Sequence, residues 1–137
     1  MTGRNKVARI LAILGIIVLL ASAGLHFIAA NATAFPAVSA SNLAPPVQSA
    51  FKIAFLDMAW HWIVIAIIVL VAVFGAASAR KVLILICGFA ILAETGLTLA
   101  FVGLFIGNEL IGSAAILLVC GGLLFEPTSA EQQKRTS

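Results

Sequence analysis

The chain has 137 residues, about the length of one domain, and its composition excludes a water-soluble protein. Hydrophobic residues make up 63% and charged residues 9%, with a mean hydropathy of +1.20, whereas soluble proteins average about 25% charged residues. A soluble enzyme, a disordered protein and a nucleic-acid-binding domain are therefore excluded. The net charge of +3 does not indicate nucleic acid, because the basic residues are scattered at the ends of apolar segments. The sequence predicts a polytopic membrane protein whose partner is the lipid bilayer.

Four apolar segments approach or exceed the roughly 20 residues with which a helix crosses a bilayer. None alternates in the way that strands do, so a barrel is excluded. The sequence thus predicts an all-α fold, an integral membrane four-helix antiparallel bundle over residues 1–125, followed by a polar cytoplasmic tail at 126–137. The predicted spans, numbered 1 to 4, cover about 7–30, 46–79, 82–107 and 110–125.

The distribution of basic residues predicts the orientation of these spans. Of the eight Lys and Arg residues, only Lys52, near the outer end of predicted span 2, falls on the outside. Because cytoplasmic loops carry the excess of positive charge, both termini are expected in the cytoplasm of a cell whose inner membrane holds the protein. The inside residues are Arg4, Lys6 and Arg9 before span 1, Arg80 and Lys81 between spans 2 and 3, and Lys134 and Arg135 in the tail.

The first segment has an alternative interpretation as a secretory signal. Basic residues, an apolar stretch and the sequence Ala21-Ser22-Ala23 resemble a signal with an A-x-A cleavage site, which would remove residues 1–23. The apolar run continues to Ala30, however, which is a full spanning length. An uncleaved first span is the preferred interpretation, and cleavage is the alternative.

Small residues predict how spans 3 and 4 associate, because helices in lipid pack closely through Gly, Ala and Ser. Span 3 carries such a stripe, which we expect to pack against residues 112–115 of span 4 in a tight hairpin; a homodimer is the alternative use. Glu94 lies about 200° around the helix from Gly96, so span 3 is expected in the middle of the bundle. The stripe consists of Gly96, Ala100, Gly103 and Gly107.

Four ionisable residues lie inside the predicted spans, where such groups usually face the bundle interior and are often functional. A rise of 1.5 Å per residue places His26 at about 6 Å, Asp57 at about 8 Å, His61 at about 14 Å and Glu94 at about 12 Å from the outer face. His26 therefore pairs best in depth with Asp57, and His61 with Glu94. We expect one polar pocket, lined also by Trp60 and Thr98, and formed by His26, Asp57, His61 and Glu94.

The chemistry of this cluster leaves several functions open. Two His and two carboxylates are a ligand set for a divalent metal ion such as Zn, Mn or Fe, and two His side chains could instead hold haem b. A Glu coupled to a His could relay protons in a small transporter. An enzyme acting on lipid or quinone is a further alternative. The favoured interpretation is an accessory or structural membrane protein in which the buried cluster fixes the helices and has no chemical activity.

The pair Trp60-His61 after Asp57, together with His26 late in span 1, resembles a broad group of small uncharacterised bacterial inner-membrane proteins. They too have four spans and a Trp-His pair near the start of one helix. The resemblance implies a bacterial inner membrane and no known activity. Apart from the resemblance, a homodimer and a larger membrane complex stay open as assemblies. Small multidrug exporters share the length and the number of spans, but span 1 lacks the acidic residue that they carry there.

Overall fold

The structure, a computed structural model, describes residues 2–75 and 79–126. Four of its helical segments are long and apolar enough to cross a membrane, which confirms the four predicted spans. Span 1 corresponds to α1, span 2 to α3, span 3 to α4 and span 4 to α5. The elements are α1 (Gly3–Ala29), a π-helical turn (Ala30–Ala34), α2 (Phe35–Ser39), α3 (Pro45–Phe74), α4 (Arg80–Val102) and α5 (Ile106–Leu124).

The first helical segment extends well beyond the predicted span. It runs from Gly3 to Ser39, so much of the expected loop after residue 30 is helical. Pro36 cannot donate a backbone hydrogen bond to the preceding turn, and the π-helical turn lies directly before it. The side chains of Asn31 and Thr33 each donate to a carbonyl one turn earlier, which satisfies two acceptors of the irregular segment.

The turn between α4 and α5 differs from the prediction in position. Span 3 was expected to reach residue 107, but α4 ends at Val102 because Gly103 adopts a φ of 91°. Helix α5 then begins at Ile106, four residues before the predicted start of span 4. Asn108, expected in the connecting turn, is instead buried in the first turn of α5, where its Nδ2 donates to the Gly103 carbonyl at 2.7 Å.

Helices α1 and α5 approach each other closely. A Cβ atom added to Gly121 would lie 3.1 Å from both the amide nitrogen of Ala12 and the carbonyl oxygen of Ala8. A Cβ added to Gly15 would lie 2.7 Å from a side-chain carbon of Leu118. The contacts pair residues in opposite order along the two helices.

The four long helices are arranged around the bundle so that each packs on two neighbours. Helix α5 packs on α1 and α4, and α3 packs on the same two helices. Helix α4 is therefore not central, and the prediction that span 3 lies in the middle of the bundle is wrong.

Helices α4 and α5 do pack together, but not through the predicted stripe. Added Cβ atoms at Gly96 and Gly103 would meet nothing within 4 Å, and one at Gly107 would meet the ring of Phe105. Gly103 and Gly107 of the stripe have the spacing of a GxxxG motif, but they lie on either side of the helix break. The contact is made by Gly88 against Val119, by Gly122 against Leu85 and, from the predicted patch 112–115, by Gly112 against Thr95.

Three arginines lie at one end of the bundle, which we call the arginine end. Arg4 approaches Glu126 at 3.4 Å, Arg9 lies over the ring of Phe74, and Arg80 donates to the carbonyl of Ala72 at 3.1 Å. Lys52 lies at the opposite end, where its Nζ donates to Ser39 at 2.7 Å. Most of the predicted tail, 127–137, lies outside the described residues together with Lys134 and Arg135.

Candidate functional site

The centre of the candidate site is a hydrogen bond between α3 and α4. The indole Nε1 of Trp62 donates to Oε1 of Glu94 at 2.9 Å, and the Trp62 side chain is only 2% exposed. Trp62 is buried because it belongs to the packed face of α3, which repeats every three to four residues. The intramembrane carboxylate therefore receives its donor from the neighbouring helix and does not face the lipid.

His26 joins this pair from α1. Its ring stacks on Phe55 with centroids 4.1 Å apart and meets Trp62 edge-on at 5.2 Å. Its Nε2 lies 2.8 Å from the carbonyl oxygen of Phe55. Because a carbonyl only accepts, Nε2 carries the hydrogen and donates it. Three helices thus meet at one aromatic cluster.

His61 and Glu94 lie side by side, as their predicted depths indicated. Nε2 of His61 is 3.7 Å from Oε2 of Glu94, which is an ion-pair distance but too long for a hydrogen bond. Oε2 is buried and has no hydrogen-bond partner among the described residues, although Oε1 is bonded to Trp62. The His61 side chain is half exposed at the surface of the bundle. It shields one side of the Glu94 carboxylate there.

Asp57 is the one predicted site residue for which the described part of the chain shows no polar contact. It is exposed and takes part in none of the hydrogen bonds or ion pairs found within residues 2–75 and 79–126. Helix α3 buries Ala59, Trp62 and Ala66, whereas positions 57, 61, 64 and 68 follow an exposed face. The i,i+4 spacing does place Asp57 and His61 on one side of the helix, but that side is exposed.

The predicted metal ligand set is not assembled in this arrangement. The described part of the chain contains no group of three or more His, Cys, Asp or Glu side chains placed to hold a metal ion. His26 has one nitrogen on a backbone carbonyl and its ring against two aromatic rings, while His61 faces Glu94 on the other side of Trp62. The two imidazoles therefore do not face each other across a common space as ligands of a haem iron would.

Of the two predicted pocket-lining residues, only Thr98 lies at a cavity. Trp60 is 59% exposed and is not among the residues that line this cavity. Thr98 lines an adjacent cavity of about 360 Å³, and its hydroxyl donates to the carbonyl of Glu94 at 2.9 Å. The indole that contacts the carboxylate is thus the one after His61, not the one before it.

The sequence interpretation missed three residues that matter here, namely Trp62, Phe55 and Asn108. The positions of small residues on α3, Ala59 and Ala66, could have identified Trp62, because small residues mark the packed face of a membrane helix. No sequence signal identifies the Phe55 carbonyl as a partner of His26. Asn108 could be recognised only if α5 were known to begin at Ile106.

No protein-family model, curated protein or solved structure matches this chain.

Proposed function

We propose that this chain is a small multi-pass inner-membrane protein, an antiparallel four-helix bundle with both termini in the cytoplasm, that acts as an accessory or structural component of the membrane. In this proposal the polar residues within the spans fix the relative positions of α1, α3 and α4. The observation that carries the proposal is the 2.9 Å hydrogen bond from Trp62 to Glu94. An intramembrane carboxylate held by an indole from the neighbouring helix stabilises the bundle without needing a ligand.

Three hydroxyl groups in the spans support the same interpretation because each is satisfied within its own helix. The hydroxyls of Ser22, Thr95 and Thr98 each donate to a carbonyl one turn earlier in their own helix. Backbone and side-chain groups in a bilayer must find partners within the protein, and these do. Such an arrangement favours fixed packing over a path along which protons or ions move.

The arrangement of charges supports the proposed orientation. Arg4, Arg9 and Arg80 lie at the arginine end, and Lys52 lies at the other. Positive charge concentrates on the cytoplasmic side of inner-membrane proteins. The arginine end is therefore assigned to the cytoplasm, and the inner membrane follows from the resemblance to small bacterial proteins.

The structural role can be tested with a matched pair of tryptophan variants. Trp62→Phe leaves the Glu94 carboxylate without its donor, so we expect the free energy of unfolding in detergent to fall by about 1–2 kcal/mol. Trp60→Phe changes an exposed ring of the same type on the same helix and should leave stability unchanged. Equal stability of the two variants would contradict the proposed role of the hydrogen bond.

A double-mutant cycle separates the hydrogen bond from the loss of ring volume. Trp62→Phe and Glu94→Leu are made singly and together, and their unfolding free energies are compared. Interhelical hydrogen bonds measured in this way in membranes couple by about 0.6 kcal/mol and at most about 1.7 kcal/mol. A coupling in this range supports the proposal, and simple additivity of the two substitutions contradicts it.

Two further measurements separate this function from its alternatives. Elemental analysis and an absorption spectrum of the purified protein should show no stoichiometric metal and no Soret band, and either signal would overturn the proposal. Orientation is tested with Thr2→Cys and Ser41→Cys, each in a chain lacking Cys87 and Cys120. A membrane-impermeant maleimide should label Ser41→Cys in intact cells and Thr2→Cys only after lysis, and the reverse pattern would invert the topology.

A further inference from the structure

The exposed side of α3 carries two ionisable side chains within the membrane. Asp57 and His61 are the only ionisable residues among positions 53–74, and they lie about 6 Å and 12 Å inside that apolar stretch at a rise of 1.5 Å per residue. Asp57 is exposed, and the side chain of His61 is 51% exposed. Ionisable residues within membrane helices almost always face the interior of a bundle. This side of α3 therefore has the polarity of an interface and not of a lipid-facing surface.

Neither side chain has found its partner within the single chain. Asp57 makes no polar contact among the described residues. Nε2 of His61 lies 3.7 Å from Glu94, and Nδ1 of the same ring makes no hydrogen bond in the described part of the chain. Both side chains also lack the length with which Lys and Arg reach the headgroups from within a membrane helix. Each copy of the protein thus presents one carboxylate acceptor and one imidazole nitrogen on the surface of α3.

The exposed residues on this side of α3 have the spacing of a helix–helix seam. From residue 54 to residue 71, exposed positions recur at alternating steps of three and four residues. This is the heptad spacing with which two helices pack at a small left-handed crossing angle, the common geometry in membrane bundles. All members other than the ionisable pair are alanine or β-branched, so two such helices can approach closely. The seam consists of Ala54, Asp57, His61, Val64, Ile68 and Val71.

Charge complementarity identifies the partner of the seam as a second copy of this chain. Copies that insert into the membrane in the same direction meet as parallel helices, related by a two-fold axis along the membrane normal. In parallel heptad packing, a seam residue inserts beside the seam residue one turn later on the other helix. Asp57 of each copy then lies beside His61 of the other, and an imidazole Nδ1–H donates to a carboxylate. The same pair forms twice, and both copies have their ionisable groups satisfied.

We propose that the seam of α3 is the interface of a parallel homodimer in the membrane, in which Asp57 of each copy accepts a hydrogen bond from Nδ1 of His61 of the other. The proposal does not rest on the accessory role or on the Trp62–Glu94 bond, because both are properties of a single chain. In a detergent micelle that holds one chain, the seam is exposed as in the structure. Association in a bilayer, and not unfolding, is therefore the quantity to measure.

Disulfide cross-linking in liposomes tests the position of the interface. In a chain lacking Cys87 and Cys120, Val71→Cys places a thiol on the seam, and Leu70→Cys places one at a neighbouring exposed position that points about 100° away. With copper phenanthroline as oxidant, the yield of dimer should be severalfold greater for Val71→Cys and should persist on moderate dilution with lipid. Equal yields for the two variants, or a greater yield for Ala100→Cys on the α4 stripe, would overturn the proposal.

A mixing experiment tests the charge pairing. Asp57→Ala and His61→Ala proteins each lose both pairs in their own homodimers, whereas a mixed dimer keeps one Asp57–His61 pair and places the two alanines together. Donor and acceptor dyes on Thr2→Cys, again in a chain lacking the native cysteines, report association in liposomes by resonance energy transfer. We expect mixed dimers to survive about threefold to twentyfold greater dilution with lipid than either variant alone, the range that one interhelical hydrogen bond provides in a membrane.

The unsubstituted sequence at positions 57 and 61 provides the reference for these measurements. Its energy transfer should exceed that of randomly distributed copies at the same lipid ratio and should fall when unlabelled protein is added. Transfer at the random level would show a monomer, and the polar side of α3 would then belong to an interface with a different protein. That result, or mixed dimers no more stable than the two variant homodimers when circular dichroism shows intact helices, would overturn the proposal.

Discussion

Gly121 on α5 lies directly against Ala12 on α1, so closely that the two helices touch through their backbones. A Cβ at Gly121 would be 3.1 Å from the Ala12 amide nitrogen and equally close to the Ala8 carbonyl. Backbone atoms in the middle of two helices cannot turn aside as a flexible side chain can. The separation of α1 and α5 therefore depends on the absence of a side chain at Gly121, as it does at Gly15 farther along the same interface.

Gly121→Val is expected to destabilise the bundle strongly. The added carbons must push α1 and α5 apart along their length, and overpacking of this kind costs about 1–3 kcal/mol or more. Gly96→Val is the matched control, since a Cβ there meets nothing within 4 Å. Thermal unfolding in detergent should show a lower midpoint for Gly121→Val alone, and a similar effect of both substitutions would place the tight interface elsewhere.

Alanine substitutions at Gly103 and Gly96 are expected to change the stability of the bundle in opposite directions. Gly103 has a φ of 91°, a conformation that costs an L-residue about 1–3 kcal/mol, so Gly103→Ala should lower stability. Gly96 lies within α4 with open space around it, and Gly96→Ala should raise stability by about 0.5–1 kcal/mol because alanine favours a helix. If Gly103→Ala unfolds at or above the wild-type midpoint, the break between α4 and α5 is misplaced.

Asp57 and His61 should respond differently to truncation although they are one turn apart. Asp57 is exposed and without a partner among the described residues, so Asp57→Ala is expected to leave the unfolding free energy unchanged or slightly higher. His61→Ala removes the imidazole that lies 3.7 Å from the Glu94 carboxylate, and it should lower the unfolding free energy by about 0.2–1 kcal/mol. Unfolding curves in detergent distinguish the two variants. A larger loss of unfolding free energy for Asp57→Ala would indicate that Asp57 belongs to the four-residue cluster, as the sequence predicts.

The pair between Arg4 and Glu126 joins the start of α1 to the end of α5 and should be weak and dependent on salt. The atoms are 3.4 Å apart, and the side chains are 55% and 35% exposed. Glu126→Gln is expected to lower the unfolding midpoint slightly at low ionic strength, with the difference vanishing at about 1 M salt, where charges are screened within about 3 Å. A difference that persists unchanged at high salt would indicate that neutral hydrogen bonds, such as that from Thr2 to Glu126, dominate.

The number of spans could be predicted from the sequence, since long apolar segments have few other uses. Their ends could not, because the residues around the break at Gly103 are themselves apolar. Leu104 and Phe105 continue the hydrophobic run, so composition gives no sign that α4 has ended. The backbone conformation of one glycine decides the boundary, and it also converts the apparent GxxxG motif into two unrelated positions.

The packed faces were harder to predict than the spans for a physical reason. Helix α3 is apolar on nearly all sides, so hydrophobic periodicity does not identify the face that other helices cover. Depth along the helix axis depends only on residue count, and it correctly paired His61 with Glu94. Rotation about the axis depends on which small residues pack, and the interpretation chose Gly96 where the structure uses Gly88. The same error brought Asp57 into the site and left Trp62 out of it.

The helices of this bundle differ in length, and the surrounding lipid must respond to the difference. Helix α5 has 19 residues and α3 has 30, which correspond to about 28 Å and 45 Å at a rise of 1.5 Å per residue. A hydrocarbon layer of about 30 Å matches the first. The first eight residues of α3, 45–52, include Gln48, Ser49 and Lys52, so its apolar part is residues 53–74, about 33 Å long at the same rise. The lipid beside α3 therefore meets its first two turns with headgroups and not with hydrocarbon chains.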